Sequence, residues 1–199
     1  MVIWVDLDEV LADLMRYLLQ KNDYVLWDRR VEFEDISDYY IYKIKELWLT
    51  LEDAVSLFRD VMLDDTSDLA IPPVLWVYNK LKKWKSKWYK LKVITARVQD
   101  LFEDYTLKWL QKYYPWIFDE VYFSAQNSKQ IFVNGVDQTK KSIICQNLGV
   151  EVMIEDNPQY ALEVASCGIK TYLISKPWNQ NYTKHPNLIK VAKFEDIDI

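Results

Sequence analysis

The chain is short of several things that common protein classes need. Of its 199 residues only two are cysteine, Cys145 and Cys167, and they form no CxxC pair. That excludes a cysteine-built zinc site and a disulfide scaffold, and it suits a reducing cytoplasm. A single histidine, His185, removes histidine-rich metal sites and argues against a Ser/His/Asp triad. No stretch of about 18 apolar residues free of charge occurs, so no membrane span is expected. The opening residues 1–6 are too few, and too quickly acidic, for a signal peptide. There is no basic excess either: 25 basic against 30 acidic residues give a net charge of −5, which argues against a general polyanion binder. Glycine occurs only 3 times, against roughly 7% in ordinary proteins. Each glycine is therefore a candidate for a backbone position that only glycine takes easily. Tryptophan, by contrast, occurs 9 times and tyrosine 14 times. Any catalysis must run mainly on carboxylates, hydroxyls and lysines.

What is present suffices for a core. Half the residues are hydrophobic, and the length fits one domain, with room for a modest insertion. Short, continuously apolar runs at 2–5, 91–94, 120–123, 150–154 and 171–174 read as strands buried on both faces, the habit of parallel sheets. A last edge strand is expected at 188–191. The stretches between read as helices. In 98–113, Phe102, Tyr105 and Trp109 fall on one face. In 157–168, Asn157 can cap, Pro158 suits the first turn and Gly168 follows the last. In 138–149, Asp137 or Thr139 can cap and Gly149 closes. Strand and helix alternating in this way predict an α/β fold, a Rossmann-like doubly wound parallel sheet.

Residues 10–75 break the alternation. They hold helical pieces at 11–22 and 44–63 around an acidic, aromatic segment from 27 to 42. The expected organisation is therefore a core of 1–12 and 72–199, with a small helical cap inserted as 13–71 over the C-terminal strand ends. Ligands bind at those ends in open α/β sheets. Pro72-Pro73 restarts the core with a helix running to about 85.

Four small groups fall at strand ends: Asp6-Leu7-Asp8 after the first, Thr95-Ala96-Arg97 after the second, Lys140-Lys141 before the fourth, and Glu155-Asp156-Asn157 after it. In a doubly wound sheet these converge on one crevice. Asp6 with Asp156 would repel unless a hard cation lay between them, and Mg²⁺ suits carboxylates that share it with a phosphate. A carboxylate so neutralised can attack phosphorus, and a second carboxyl can serve as acid and base. Thr95 and Lys141 offer a hydroxyl and a charge to phosphoryl oxygens.

The ordered set resembles the four motifs of the haloacid dehalogenase superfamily of phosphohydrolases. DLDEVLADL at 6–14, VITAR at 93–97 and KSIICQNLGVEVMIEDNPQYALEVASCGIKTYLISKPWN at 141–179 resemble its 5′(3′)-deoxyribonucleotidase branch, while the insertion matches only loosely, through EDISDYYI at 34–41. The resemblance implies that Asp6 is nucleophile and metal ligand. It implies that Asp8 is the acid/base and lends a main-chain carbonyl to Mg²⁺, and that Asp156 completes the metal shell. Thr95, Ala96, Arg97 and Lys141 would face substrate and phosphate, with Arg97 reaching substrate or locking its loop. Glu155 stands where many relatives have Asp, and it is expected either to ligate the metal or to reach it at one remove, through water. Lys140 and Lys129 are alternatives to Lys141, which is favoured because it lies seven residues before Leu148-Gly149. Residues 126–138 read as an extra turn around Asn134-Gly135.

Several features have plainer readings. Trp27, Tyr39, Tyr40, Tyr42 and Trp48 suggest base stacking, but for any one of them core packing is the better expectation. The lysines of 80–92 read as a solvated helix face. Cys145 and Cys167 read as small core residues, and His185 as an exposed bystander. The expected activity is Mg²⁺-dependent hydrolysis of a small phosphorylated substrate, most concretely a nucleoside monophosphate. The alternatives are a phosphatase for another small metabolite, or an idle relative that binds a nucleotide or partner. Nucleic acid and membrane partners are not expected, the location is expected to be cytoplasmic, and a homodimer stays open.

Overall fold

The computed structural model describes residues 1–22, 25–26, 29–63, 69–126 and 140–199. Each apolar run becomes a strand: β1 (Val2–Asp6), β4 (Lys90–Val98), β5 (Glu120–Ala125), β6 (Val152–Glu155), β7 (Lys170–Ile174) and β8 (Leu188–Val191). They pair in the order β5-β4-β1-β6-β7-β8, every pair parallel. The two-residue strands β2 (Val25–Leu26) and β3 (Arg29–Arg30) form a separate antiparallel pair. The helices are α1 (Leu14–Asn22), α2 (Leu51–Leu63), α3 (Val77–Ser86), α4 (Gln99–Tyr113), α5 (Lys141–Asn147) and α6 (Pro158–Ser166). This is the expected doubly wound α/β fold. Among the described residues no helix is long and apolar enough to cross a membrane.

The runs are continuously apolar because successive side chains enter different cores. Ile3 and Val5 of β1, Leu91 and Val93 of β4, and Val152 and Ile154 of β6 pack on one face with Leu81, Trp84, Phe102 and Trp109 of α3 and α4. Trp4, Ile94 and Met153, from the same strands, pack on the other face with Cys145 of α5 and Val164 of α6.

Helix limits follow local chemistry. Asn157 caps α6, its Oδ1 accepting from the N–H groups of Gln159 (2.8 Å) and Tyr160 (3.2 Å), with Pro158 in the first turn. The predicted helix 44–63 starts only at Leu51. Trp48 breaks it with a left-handed backbone, and Thr50 and Asp53 cap it reciprocally: Asp53 Oδ2 accepts from Thr50 N, and Thr50 Oγ1 from Asp53 N. The predicted helix 11–22 starts at Leu14, since residues 7–12 close a tight turn in which Leu11 and Ala12 donate to the Leu7 carbonyl. The helix after Pro72-Pro73 starts at Val77 because 72–74 first pair with 11–13: Asp13 N donates to Pro72 O, and Val74 N to Leu11 O. The expected boundaries at 12/13 and 71/72 fall on these two adjoining segments.

The inserted residues are less helical than expected. Besides α1 and α2 they hold the β2–β3 pair and 3₁₀ turns at Phe33–Asp35, Ile41–Lys43 and Lys45–Leu47. They pack around their own core, where Met15, Leu19, Phe33, Ile36 and Ile44 meet Trp178 from the loop after β7. Three smaller expectations need comment. Cys145 is buried, but Cys167, on the turn after α6, is exposed. His185 is half-buried, and its Nδ1 accepts from Asn187 N (3.2 Å). Trp27, Lys129, the Asn134-Gly135 turn and the caps Asp137 and Thr139 lie outside the described residues.

Candidate active site

The central strands carry the chemistry at their C-terminal ends. Asp6 ends β1 beside Ile94 of β4, and Glu155 ends β6, whose Ile154 pairs with Val5. The chain order reverses across β1, with β4 on one side and β6 on the other, which makes this edge the switch point where α/β sheets hold ligands.

Asp6, Glu155 and Asp156 are all buried, and each brings one carboxylate oxygen within 4.8 Å of the others. Lys141, itself buried, enters from the start of α5. Its Nζ donates to Asp6 Oδ1 (2.7 Å) and Glu155 Oε2 (2.9 Å) and lies 4.9 Å from the Tyr160 ring centroid. Lys140 points away and is exposed, 3.7 Å from Glu163. Glu155 stands within the cluster itself. Its Oε1 also accepts from Asn157 N at 3.2 Å.

Electrostatics leave this cluster short of positive charge. Burial, then Glu155, push the Asp6 carboxyl up to about 8, although Lys141 pulls the other way. Burial, Glu155 and Asp6 likewise raise Asp156 well above the usual carboxylate range. Burial opposes the charge on Lys141, but Asp6 and Glu155 more than offset it and raise its pKa. Asp156 Oδ2 accepts from Trp178 Nε1 (3.0 Å), and its backbone carbonyl accepts from Asn179 Nδ2 (2.8 Å). Asp156 Oδ1 is buried with no hydrogen-bond partner. Three carboxylates facing one ammonium, with a bare oxygen among them, form a donor set that fits a hard divalent cation.

Thr95 is buried in β4, its Oγ1 accepting from Arg97 N (3.1 Å). Arg97, expected to reach substrate or to lock its loop, is engaged within the protein. Its Nε and NH2 grip Asp8 Oδ2 and Oδ1 at 2.9 and 2.6 Å, and NH1 donates to Thr106 Oγ1 at 3.1 Å. This two-pronged grip fixes the Asp8 side chain, which lies outside the acid cluster.

Above the site lies a cavity of about 220 Å³. Asp8, Glu9, Ala96 and Arg97 line it on the sheet side, and Tyr39, Tyr40, Tyr42 and Phe58 on the inserted side. Tyr160 and Trp178 line it as well and also touch Lys141 and Asp156, so the cavity adjoins the cluster. Of the aromatics singled out in the insertion, the three tyrosines border the cavity, whereas Trp48 is exposed.

Glu9, Lys176, Tyr160 and Trp178 were not anticipated. Glu9 is buried with a left-handed backbone (φ 65°). Its carboxylate accepts from Met15 N (2.6 Å) and from Lys176 Nζ (3.4 Å), tying the start of α1 to the loop after β7. Burial pushes its carboxyl up to about 7, against the pull of Lys176 and the Met15 N–H. The only prior signal was an acid inside the first motif, since its partner lies 167 residues away.

No protein-family model matches the sequence, and no curated protein matches it. Solved structures do. Protein tyrosine kinase A of Mycobacterium tuberculosis superposes with a TM-score of 0.67 at 13% identity, covering 98% of this chain and 94% of that one. A predicted phosphoglycolate phosphatase of Haemophilus somnus gives 0.58 at 15% identity, covering 98% and 95%. A haloacid dehalogenase-like hydrolase of Streptococcus pneumoniae gives 0.56 at 15% identity, covering 95% and 92%. The chain thus shares the fold of the haloacid dehalogenase-like hydrolases.

Proposed function

We propose that the protein is a Mg²⁺-dependent phosphomonoester hydrolase whose substrates are (deoxy)nucleoside monophosphates. The observation that carries this reading is the buried Asp6–Glu155–Asp156 cluster with its single lysine and the bare Asp156 Oδ1. Asp6, Glu155 and Asp156, with the main-chain carbonyl of Asp8, would hold the ion. When bound, it supplies the positive charge that keeps the acids ionised and draws charge from the phosphoryl group.

The chain's own residues account for the rest. An oxygen of Asp6 forms a bond to phosphorus as the ester P–O bond breaks, and the leaving alkoxide takes a proton from Asp8. Asp8 then removes a proton from water, which attacks the aspartyl-phosphate and frees inorganic phosphate, restoring Asp6. Thr95 and Lys141 stand ready to hold phosphoryl oxygens, and Arg97 sets the position of Asp8. The cavity wall favours a nucleoside over a sugar as leaving group. Tyrosine rings can stack on a flat base, whereas sugar hydroxyls would meet mostly apolar neighbours and lose hydrogen bonds to water.

The test is phosphate release from an aryl phosphate and from a panel of nucleotides and sugar phosphates, with Mg²⁺ and with a chelator. Release should need Mg²⁺ and favour nucleotides, and Asp6→Asn should lower kcat by about 10⁴-fold or more while the fold survives. Full turnover by Asp6→Asn would overturn the mechanism, and a preference for sugar phosphates would overturn the substrate.

A further inference from the structure

Among the described residues the tryptophans fall into two sets. Trp4, Trp84, Trp109 and Trp178 are buried, and their rings are used: Trp4 against Tyr122, Trp84 against Phe194, Trp109 donating to Ile71 O and Trp178 to Asp156. Trp48, Trp76, Trp88 and Trp116 are 89%, 70%, 91% and 85% exposed. All four have left-handed backbones, with φ of 53°, 71°, 63° and 64°. Among the described residues only two other non-glycine positions share that conformation, Glu9 and Leu69. A bulky residue there is a true outlier, disfavoured by about 1–2 kcal/mol.

All four sites have the left-handed backbone that favours glycine, and at two of them, Trp88 and Trp116, the hydrogen bonding is that of a cap or turn in which glycine is usual. Helix α5 ends in a Schellman motif: Gly149 N donates to Gln146 O and Val150 N to Cys145 O, with Gly149 at φ 62°. Helix α3 ends in the same motif, Trp88 N donating to Lys85 O and Tyr89 N to Trp84 O. Trp88, at φ 63°, occupies the place of Gly149. Gly168, one residue past the C-cap of α6, stands at the equivalent position and also has a positive φ. Residues 114–117 form a turn in which Ile117 N donates to Tyr114 O. Pro115 precedes Trp116, whose φ is 64°, the Pro-Gly pattern of a type II turn. Trp48 is the left-handed cap of the 45–47 turn, and Trp76 is the N-cap of α3 with no side-chain cap bond.

We propose that positions 48, 76, 88 and 116 are glycine positions, and that the polypeptide made in the source cell carries glycine at each. One codon, UGA, is read as tryptophan in some genetic codes and as glycine in another. Translation of a gene of the second kind by the rules of the first puts tryptophan where the backbone needs glycine. A single cause then accounts for a chain with 3 glycines and 9 tryptophans, and for a left-handed backbone at every exposed tryptophan among the described residues. A docking surface does not explain them. Contact with a partner would favour exposed indoles, but it would not call for a left-handed backbone beneath each of them.

Two measurements decide it. Tandem mass spectrometry of the protein isolated from its source cells should read glycine in the peptides spanning these four positions, and tryptophan there would overturn the proposal. With the tryptophan-bearing chain, Trp88→Gly should raise the unfolding midpoint by about 2–8 °C. Trp88→Ala, which removes the indole but keeps a Cβ on a left-handed backbone, should not. An equal rise in both would place the penalty in the indole rather than the backbone, and would also overturn the proposal.

Discussion

At the C-terminal ends of β1, β4 and β6 the functional side chains are tied to one another by charge. Lys141 bridges Asp6 and Glu155, Arg97 grips Asp8, and Trp178 donates to Asp156. The opposite wall of the cavity, drawn from residues 39–62, is tied almost wholly by contact: Tyr39 edge-on to Tyr40, Tyr40 tilted on Tyr42, and Phe58 packed between two cores. A charged network fixes positions sharply, because losing one partner strands another in a low dielectric. Apolar contact sets a shape that can change residue by residue at modest cost. On the proposed function, the sheet edge would determine what reaction occurs, and the inserted wall what is admitted.

The largest effect that would break this contrast comes from adjacent lysines. Lys141→Ala leaves Asp6 and Glu155 buried without their shared cation, and removing one member of a buried ion pair costs about 3–5 kcal/mol. Lys140 is exposed and pairs only loosely with Glu163, so Lys140→Ala should stay within about 0.5 kcal/mol. Urea unfolding of the two variants checks this, with Mg²⁺ titrated into each. Part of the Lys141→Ala loss should return with Mg²⁺, because a dication restores charge to the same acids. Phosphate binding should weaken in Lys141→Ala alone. Equal losses in the two variants would mean that the buried network does not hold the edge together.

The same contrast explains what could be read from the sequence. The strands were legible because a parallel sheet buried on both faces needs apolar residues at every position, and runs such as 2–5 and 91–94 have no other ready explanation. Asp6, Thr95, Lys141 and Asp156 were legible because each follows or precedes such a run, and topology does the rest. The inserted region offered neither signal. Its 3₁₀ turns have no periodicity to detect, and its helix α2 was drawn too long because a left-handed Trp48 is not written in hydropathy. Side-chain commitments were equally hidden. That Arg97 serves Asp8, and that Glu9 meets Lys176, depend on contacts across 89 and 167 residues.

A smaller effect sharpens the division of labour. Tyr42 lines the cavity and packs against Tyr40. If the wall selects a nucleoside, Tyr42→Ala should remove a stacking surface worth about 1–3 kcal/mol. The ratio of kcat/KM for a deoxynucleoside monophosphate to that for ethyl phosphate, too small to span the cavity, should then fall by about tenfold or more. An unchanged ratio would move substrate choice away from this wall and onto the sheet edge.

The smallest effect compares one helix cap from each region. Asn157 is buried beside Asp156 and accepts two backbone N–H groups at the start of α6, the helix that carries Tyr160 against Lys141. Thr50 caps α2 at the surface, where water can replace its hydroxyl. Caps contribute about 0.5–2 kcal/mol, and a buried one lies toward the top of that range because its donors have no solvent to turn to. Asn157→Ala should therefore destabilise by close to 2 kcal/mol and lower kcat, since Tyr160 loses its seat. Thr50→Ala should cost nearer 0.5 kcal/mol and leave kcat alone. Denaturant midpoints and steady-state rates measured side by side decide it. If the surface cap proves as costly as the buried one, the insertion is bound into the fold as tightly as the site, and it could not act as the more adjustable of the two walls.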